Sequence, residues 1–530
     1  MAGVILVVAG VAALLTASFL DRPAPKLLGG NRPVNASATD PLDVNAQNSP
    51  VLRRNPKDQA NLVVASRIDS PRFSCALHAS VDGGATWIDV PIPVPEGPGV
   101  TCFAPDAAFG ADGTLYLSFT SFGQVSGQGT VPDAIWLVTS KDGGRTLSSP
   151  VQAGGPMAFH VRLAADRRTA GRLYLAWVQG AGTSSWGFAT VGNPVMVARS
   201  DDGGATWRPP VRVSPATRER VVAPSIEVGR DGEVHVAYLD VGDDVLDYAG
   251  AHEGKGGEPY YGAWAIVAAR SSDKGVSWRD SVVDERLAPT QRFLVLFPPG
   301  PSVAVDGRTV YVAFEDGRLG DADVWLWKST NGGEQWQRPK RVNDTLPRDG
   351  TAQYLPELAV GPNGRLDVVY YDRRTDFQNR MNEVSLQSSY DRGKTFGPRL
   401  RLSDRAFDSG VGVGSERGMA ELGNRLGLVS TSGRVLSVWA DTRGGTPSNG
   451  KQDLASGIAV VPPQPALRQV LRVGGAVASM SGLVVLIAAG FLRRARRMSA
   501  RPADFSPVDA PYGDAEPVRP AAVSDDMEHK

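Results

Sequence analysis

Apolar residues follow two rhythms along this chain. Each end carries an unbroken run: residues 2–20 hold no charge, and residues 473–492 hold none between Arg472 and the arginines Arg493, Arg494, Arg496 and Arg497. Twenty apolar residues in a helix reach roughly 30 Å, the thickness of a bilayer core. Both runs are therefore expected as transmembrane helices, the first (within residues 1–22) as an anchor or a cleaved signal segment. Between them, period-two alternation prevails. Seven times a short strand is followed by a tight turn and an alternating strand of β-branched and aromatic residues, around Asn61, Gly113, Arg172, Gly232, Arg308, Gly364 and Gly433. Several of the turns read Asp-Gly or Asn-Gly, and that combination is the strongest local signal of a hairpin.

Behind six of the seven hairpins comes an octet, S-x-[DN]-x-G-x-x-[aromatic or Leu]. Its third positions are Asp82, Asp142, Asp202, Asp273, Asn331 and Asp391, spaced 60, 60, 71, 58 and 60 residues apart. Such residues close turns: Asp and Ser side chains bond turn amides, and Gly supplies positive φ. The octet resembles the Asp box of the sialidase superfamily and related BNR-repeat propellers, where it joins the outer two strands of a blade on the face opposite the active site. The resemblance covers residues 33–461 and implies an all-β fold, a β-propeller. Sialidases have six blades. Seven hairpins favour seven blades here, with six as the alternative, and an N-terminal strand near residues 33–44 is expected to complete the last blade and hide the sheet edges.

Charge and cysteine usage narrow the setting. Lys and Arg total 56 and so do Asp and Glu, which removes the electrostatic case for a nucleic-acid partner. The arginines after residue 492 place the tail, 493–530, in the cytoplasm and the propeller outside the membrane. The tail, rich in Pro and acidic residues, reads as disordered. In that setting Cys75 and Cys102 are expected as a disulfide between neighbouring blades. Two cysteines and five scattered histidines give no metal-ligand spacing, so no metal or cofactor is expected.

Candidate chemistry lies on the face opposite the octets. Three second strands end in acidic-x-Arg: Asp316-Gly-Arg318, Asp372-Arg373-Arg374 and Asp441-Thr-Arg443. Carboxylates follow at Asp321 and Asp323, at Asp376 and Glu383, and at Asp453. For Asp316, Arg318 and Asp323 the resemblance implies a sialidase-like arrangement, with Arg318 binding substrate and Asp323 as acid/base. Arg373 and Arg443 are the candidates of the next two blades. Recurrence in three successive blades favours a repeated ion pair instead. The family's Arg-Ile-Pro is missing: the nearest stretch runs from Pro50 through Arg53 and Arg54 to Pro56. A longer loop in the fourth blade carries Asp240, Asp243, Asp244, Asp247, Tyr260 and Tyr261 and reads as a solvated acidic loop. The expected protein is a membrane-anchored, extracytoplasmic propeller that binds a glycan or a cell-surface protein, with a glycoside hydrolase of exo-α-sialidase type as the alternative.

Overall fold

The structure, a computed structural model, describes residues 2–19, 24–40, 42–97, 100–125, 129–180, 191–246, 260–289, 299–413, 422–462 and 466–499. The chain divides into two compact units, Pro23–Pro463 and a unit of the two termini. Residues 500–530 of the expected tail, and Asp247 of the fourth-blade loop, lie outside the described residues, whereas 493–499 continue the C-terminal helix.

Within Pro23–Pro463 the described strands pair into seven antiparallel sheets. Each sheet is one blade of a seven-bladed β-propeller, over residues 47–90, 101–154, 158–212, 221–287, 302–341, 353–401 and 427–460. Sequential hairpins make each blade, so the first strand is innermost and the second strand fully buried: Leu366–Asp372, for instance, has no exposed position. The alternation seen in the sequence is therefore two-sided burial between neighbouring blades, with β-branched and aromatic residues on both faces.

The octets join third to fourth strands and share one local geometry. In the third blade Ser200 Oγ donates to Asp202 at 2.8 Å, and the Gly204 amide donates back to Ser200 Oγ at 2.9 Å. The Thr206 amide and hydroxyl donate to Asp202, and with Ser200 they pull its carboxyl down to about 2. Gly204 has φ +89°, and a Cβ there would lie 2.0 Å from Leu137 of the second blade. The positive φ of the turn thus requires the glycine, and a side chain there would also displace the Leu137 tip of the preceding blade. All six octets repeat the Ser–Asp or Ser–Asn bond.

Ring closure differs from the expected strand at residues 33–44. The strand Asp453–Val460 is paired instead by Lys26–Leu27 and Arg32–Pro33. Residues 36–39 form a 3-10 turn. Asn35, 1% exposed, accepts from the Leu454 amide at 2.8 Å and donates to Asp453 at 3.0 Å. Cys75 and Cys102 are disulfide-bonded, with Cα atoms 5.5 Å apart, and join the first blade to the second.

The terminal unit holds two helices, Ala2–Phe19 and Ala466–Ser499. Residues Val470–Arg494 are long and apolar enough to cross a membrane, whereas the apolar stretch Ala2–Thr16 is shorter. The expectation of two spanning helices thus reduces to one that meets the length. The two helices pack through small residues: a Cβ on Gly10 would sit 2.5 Å from the Gly475 carbonyl, and one on Gly3 would sit 2.9 Å from that of Gly482.

Candidate functional site

In a four-stranded antiparallel blade the turn between strands one and two lies at the same end as the turn between strands three and four. The octets therefore mark one end of the channel. The loops between second and third strands ring the other, and the acidic-x-Arg residues sit there.

Each of these arginines is held between two aspartates from different blades. Asp316, fully buried, accepts from Arg318 and from the Ala288 amide at 2.9 Å. Arg318 also donates to Asp284, on the outer strand of the preceding blade, at 2.8 Å, and its guanidinium lies over the rings of Trp325 and Trp327. Burial pushes the Asp316 carboxyl up, against the pull of the Ala288 amide and Arg318. Asp284 is held below its ordinary value despite burial, by donors from Arg318 and Trp327. The sixth blade repeats the motif with Asp372–Arg374 at 2.7 Å and Arg374–Asp344 at 2.7 Å. The seventh repeats it with Arg443 between Asp441 and Asp404. Asp323, paired across the strands with Asp316, is bound instead by Asn343 at 2.6 Å and Arg341 at 3.2 Å, and burial raises its carboxyl.

Arg373, the sixth-blade candidate, is not the member of this series; Arg374 is. Its side chain donates to Asn382 at 2.8 Å and to the hydroxyls of Tyr354 and Ser409 at 3.0 Å, and its guanidinium covers the Tyr354 ring at 4.6 Å. Tyr354 is 5% exposed, and burial raises its hydroxyl. Close by, Glu315 accepts from the Leu355 amide at 2.9 Å, and burial pushes its carboxyl up to about 7. In the fourth-blade loop Asp244 is buried, taking bonds from Trp264 at 2.9 Å and the Leu246 amide at 2.9 Å. Asp244 thus departs from the expected solvated setting, while Asp243 and Tyr261 remain exposed. Among the described residues no cluster of three potential metal ligands occurs.

The channel itself contains a second cluster. In the innermost strands Ser49, Ala104, His160, Ala223 and Leu355 take φ between 49° and 56°, and the pairing register breaks there. A bulge of this kind re-aims the residues beyond it. Two positions on stand Asp106, Arg162, Ser225 and Glu357, all lining a cavity of ≈ 380 Å³. Arg425, two residues after Gly423 at φ 95°, joins them, as does Arg53. The cavity wall continues to Pro56, Gly110 and Pro362, at the turn ends of their strands, so the cavity runs towards the octet end.

Asp106 anchors the cluster. It accepts from the Ala107 amide at 2.8 Å and the Leu163 amide at 3.1 Å, and lies 3.6 Å from both Arg53 and Arg425. Arg425 also donates to the carbonyls of Ser49 and Pro105. Burial, with Arg162 beside it, lowers its guanidinium to about 9. Arg162 is 7% exposed; among the described residues its side chain makes one hydrogen bond, to the Val161 carbonyl at 3.3 Å, and has no carboxylate within 4 Å. Burial raises Glu357 to about 7, although Arg53, Ser302, Arg425 and Arg162 all favour its charged form.

This cluster is not among the sequence candidates, where Arg53 figures only beside the missing Arg-Ile-Pro. A signal does exist. Aligned on the five bulges, and on Gly300 and Gly423 in the other two blades, the innermost segments read Val51, Asp106, Arg162, Ser225, Ser302, Glu357 and Arg425, so four ionisable groups fall where the other blades carry Val or Ser.

No family model matches the chain, and no curated protein matches it. Among solved structures, a Dyadobacter fermentans protein of unknown function is 15% identical, covers 83% of this chain and 99% of its own, and superposes with a TM-score of 0.44. The Hadza microbial sialidase Hz136 is 16% identical, with 74% of this chain and 75% of its own covered, at TM-score 0.42. The phage phi92 endosialidase is 11% identical, covering 83% of this chain and 70% of its own, at 0.46. The fold assignment rests on the strand pairing described above, and these likenesses carry no residue across.

Proposed function

We propose that this chain is a membrane-anchored Asp-box propeller, displayed outside the cytoplasm, that binds a glycan or a surface protein without cleaving it. The observation that supports binding over catalysis is the commitment of the rim arginines. Arg318, Arg374 and Arg443 each sit between two aspartates, and Asp323 is spent on Asn343 and Arg341. An arginine already paired with two carboxylates is a poor clamp for a substrate carboxylate, because binding must first break those pairs. The anchor is the helix Val470–Arg494, and the arginines that follow it orient the chain.

The hydrolase reading keeps one specific support: a buried tyrosine hydroxyl, Tyr354, under Arg373, with Glu315 near neutrality beside it. Tyr with a Glu partner is the recognised exception to two-carboxylate glycosidases. The purified protein is expected to retain glycans from a mixed acidic and neutral panel while releasing no phenol from an aryl sialoside. Hydrolysis by wild type that disappears in Tyr354→Phe or Asp323→Asn, with unchanged melting temperature, would establish the enzyme instead. Protease added to intact cells should degrade the propeller and spare a tag placed after Lys530. A protected propeller would overturn the topology.

A further inference from the structure

The channel cluster goes beyond that reading and does not depend on it, since it lies towards the octet end, away from the rim. The cavity is lined by six arginines, Arg53, Arg54, Arg162, Arg167, Arg230 and Arg425, against three carboxylates, Asp106, Glu227 and Glu357. Near the turn ends the charges are partly matched, with Arg167 on Glu227 at 2.9 Å. At the inner end three arginines meet two carboxylates: Asp106 lies 3.6 Å from Arg53 and Arg425, Glu357 faces all three, and Arg162 has no carboxylate within 4 Å among the described residues.

A buried guanidinium left with most of its five donors unused is costly in a folded protein, because each charge withdrawn from water needs compensation. Here the cation, with Asp106 and Glu357 near it but neither within 4 Å, faces a cavity of a size that takes small ligands. Its planar fork suits a two-oxygen acceptor. We propose that the inner end of this cavity is a binding site for an oxyanion, held by Arg53, Arg162 and Arg425 and reached from the octet end of the channel. The anion is inorganic, as sulfate or phosphate, or is the carboxylate or sulfate of an acidic sugar. Both sources present the same oxygens to the same donors.

Glu357 sets a sign for the pH dependence. The groups facing it are Arg53, Arg162, Arg425 and the Ser302 hydroxyl, with Asp106 across the cluster. With its carboxyl raised to about 7, Glu357 is neutral below that pH and the cluster carries three cations against one anion. Above it, a second negative charge competes with the ligand, so affinity falls as pH rises through about 7.

The test uses the full chain in detergent, with sulfate, phosphate and glucuronate titrated at constant ionic strength against chloride and read by melting temperature and calorimetry. A saturable stabilisation by at least one of them is expected, stronger at pH 6 than at pH 8. Arg162→Leu should weaken binding about tenfold or more, the scale of losing charge-assisted hydrogen bonds. Should that variant fail to fold, Glu357→Gln decides the matter: at pH 8 it should bind the anion several-fold more tightly than wild type, because the competing charge is gone. Tighter glucuronate than sulfate points to a sugar acid, and the reverse points to the inorganic ion. No stabilisation beyond chloride overturns the site, as does binding that Arg162→Leu leaves unchanged or, if that variant is lost, Glu357→Gln does.

Discussion

Arg318→Ala is expected to destabilise the propeller by about 3–5 kcal/mol, the cost of leaving a buried carboxylate without its cation. Asp316 is fully buried and Arg318 is its charged partner, while Asp284, on the neighbouring blade, would lose the same donor. Two carboxylates would then face each other across the seam between the fourth and fifth blades. Some of the loss would be recovered by protonation, since burial already raises Asp316, so the deficit should shrink in mildly acidic solution. Arg374→Ala should cost less than Arg318→Ala yet more than Arg373→Ala, because Asp372, although equally buried, keeps Arg399 at 3.3 Å and the Ser385 hydroxyl at 2.7 Å. Arg373→Ala is expected to cost about 1.5–3 kcal/mol, the range for hydrogen bonds to a charged group, since it strands no carboxylate. Urea unfolding of the three variants checks the order. Equal losses at Arg373 and Arg374 would contradict it.

That contrast between adjacent arginines also marks how far the sequence could be read. Three acidic-x-Arg motifs were visible as strings, and the pair in blade six offered two arginines. Residues i and i+2 of a strand share a face whereas i+1 points to the other, so Asp372 meets Arg374 and sends Arg373 towards Tyr354. Blade number was legible for a similar reason: hairpin turns and octets are local, and each announces itself within a few residues. The interior of the channel was not. Its cluster depends on residues such as Ala104 and Leu355 adopting left-handed conformations that their side chains disfavour, and propensity does not announce such a bulge. The charged positions beyond it look like ordinary strand residues until seven innermost strands are laid side by side.

Deleting residues 24–35 is expected to abolish the folded propeller rather than shorten it. Lys26–Leu27 and Arg32–Pro33 are each two residues long, too short for an alternating pattern to reveal them, yet they supply the outer pairing of Asp453–Val460. Leu28 and Val34 donate to the carbonyls of Ile458 and Leu454 at 2.7 and 2.8 Å. Asn31 ties the segment to the sixth blade through the Leu402 carbonyl at 2.8 Å and the Asp404 amide at 2.7 Å. Without these contacts the seventh blade would end in a bare edge, with Val34 no longer covering Leu454 and the Asn35 bonds to Asp453 and Leu454 lost. An exposed strand edge invites pairing with other chains, and the Asp441–Arg443–Asp404 bridge would lose Asn31 beside it. The deletion variant should therefore aggregate or show no cooperative melting transition. The point variant Asn35→Ala should fold with a stability lower by about 1–3 kcal/mol, the cost of a buried polar partner removed. A deletion variant that remained monomeric and melted cooperatively near the wild-type temperature would show that the ring closes by other contacts.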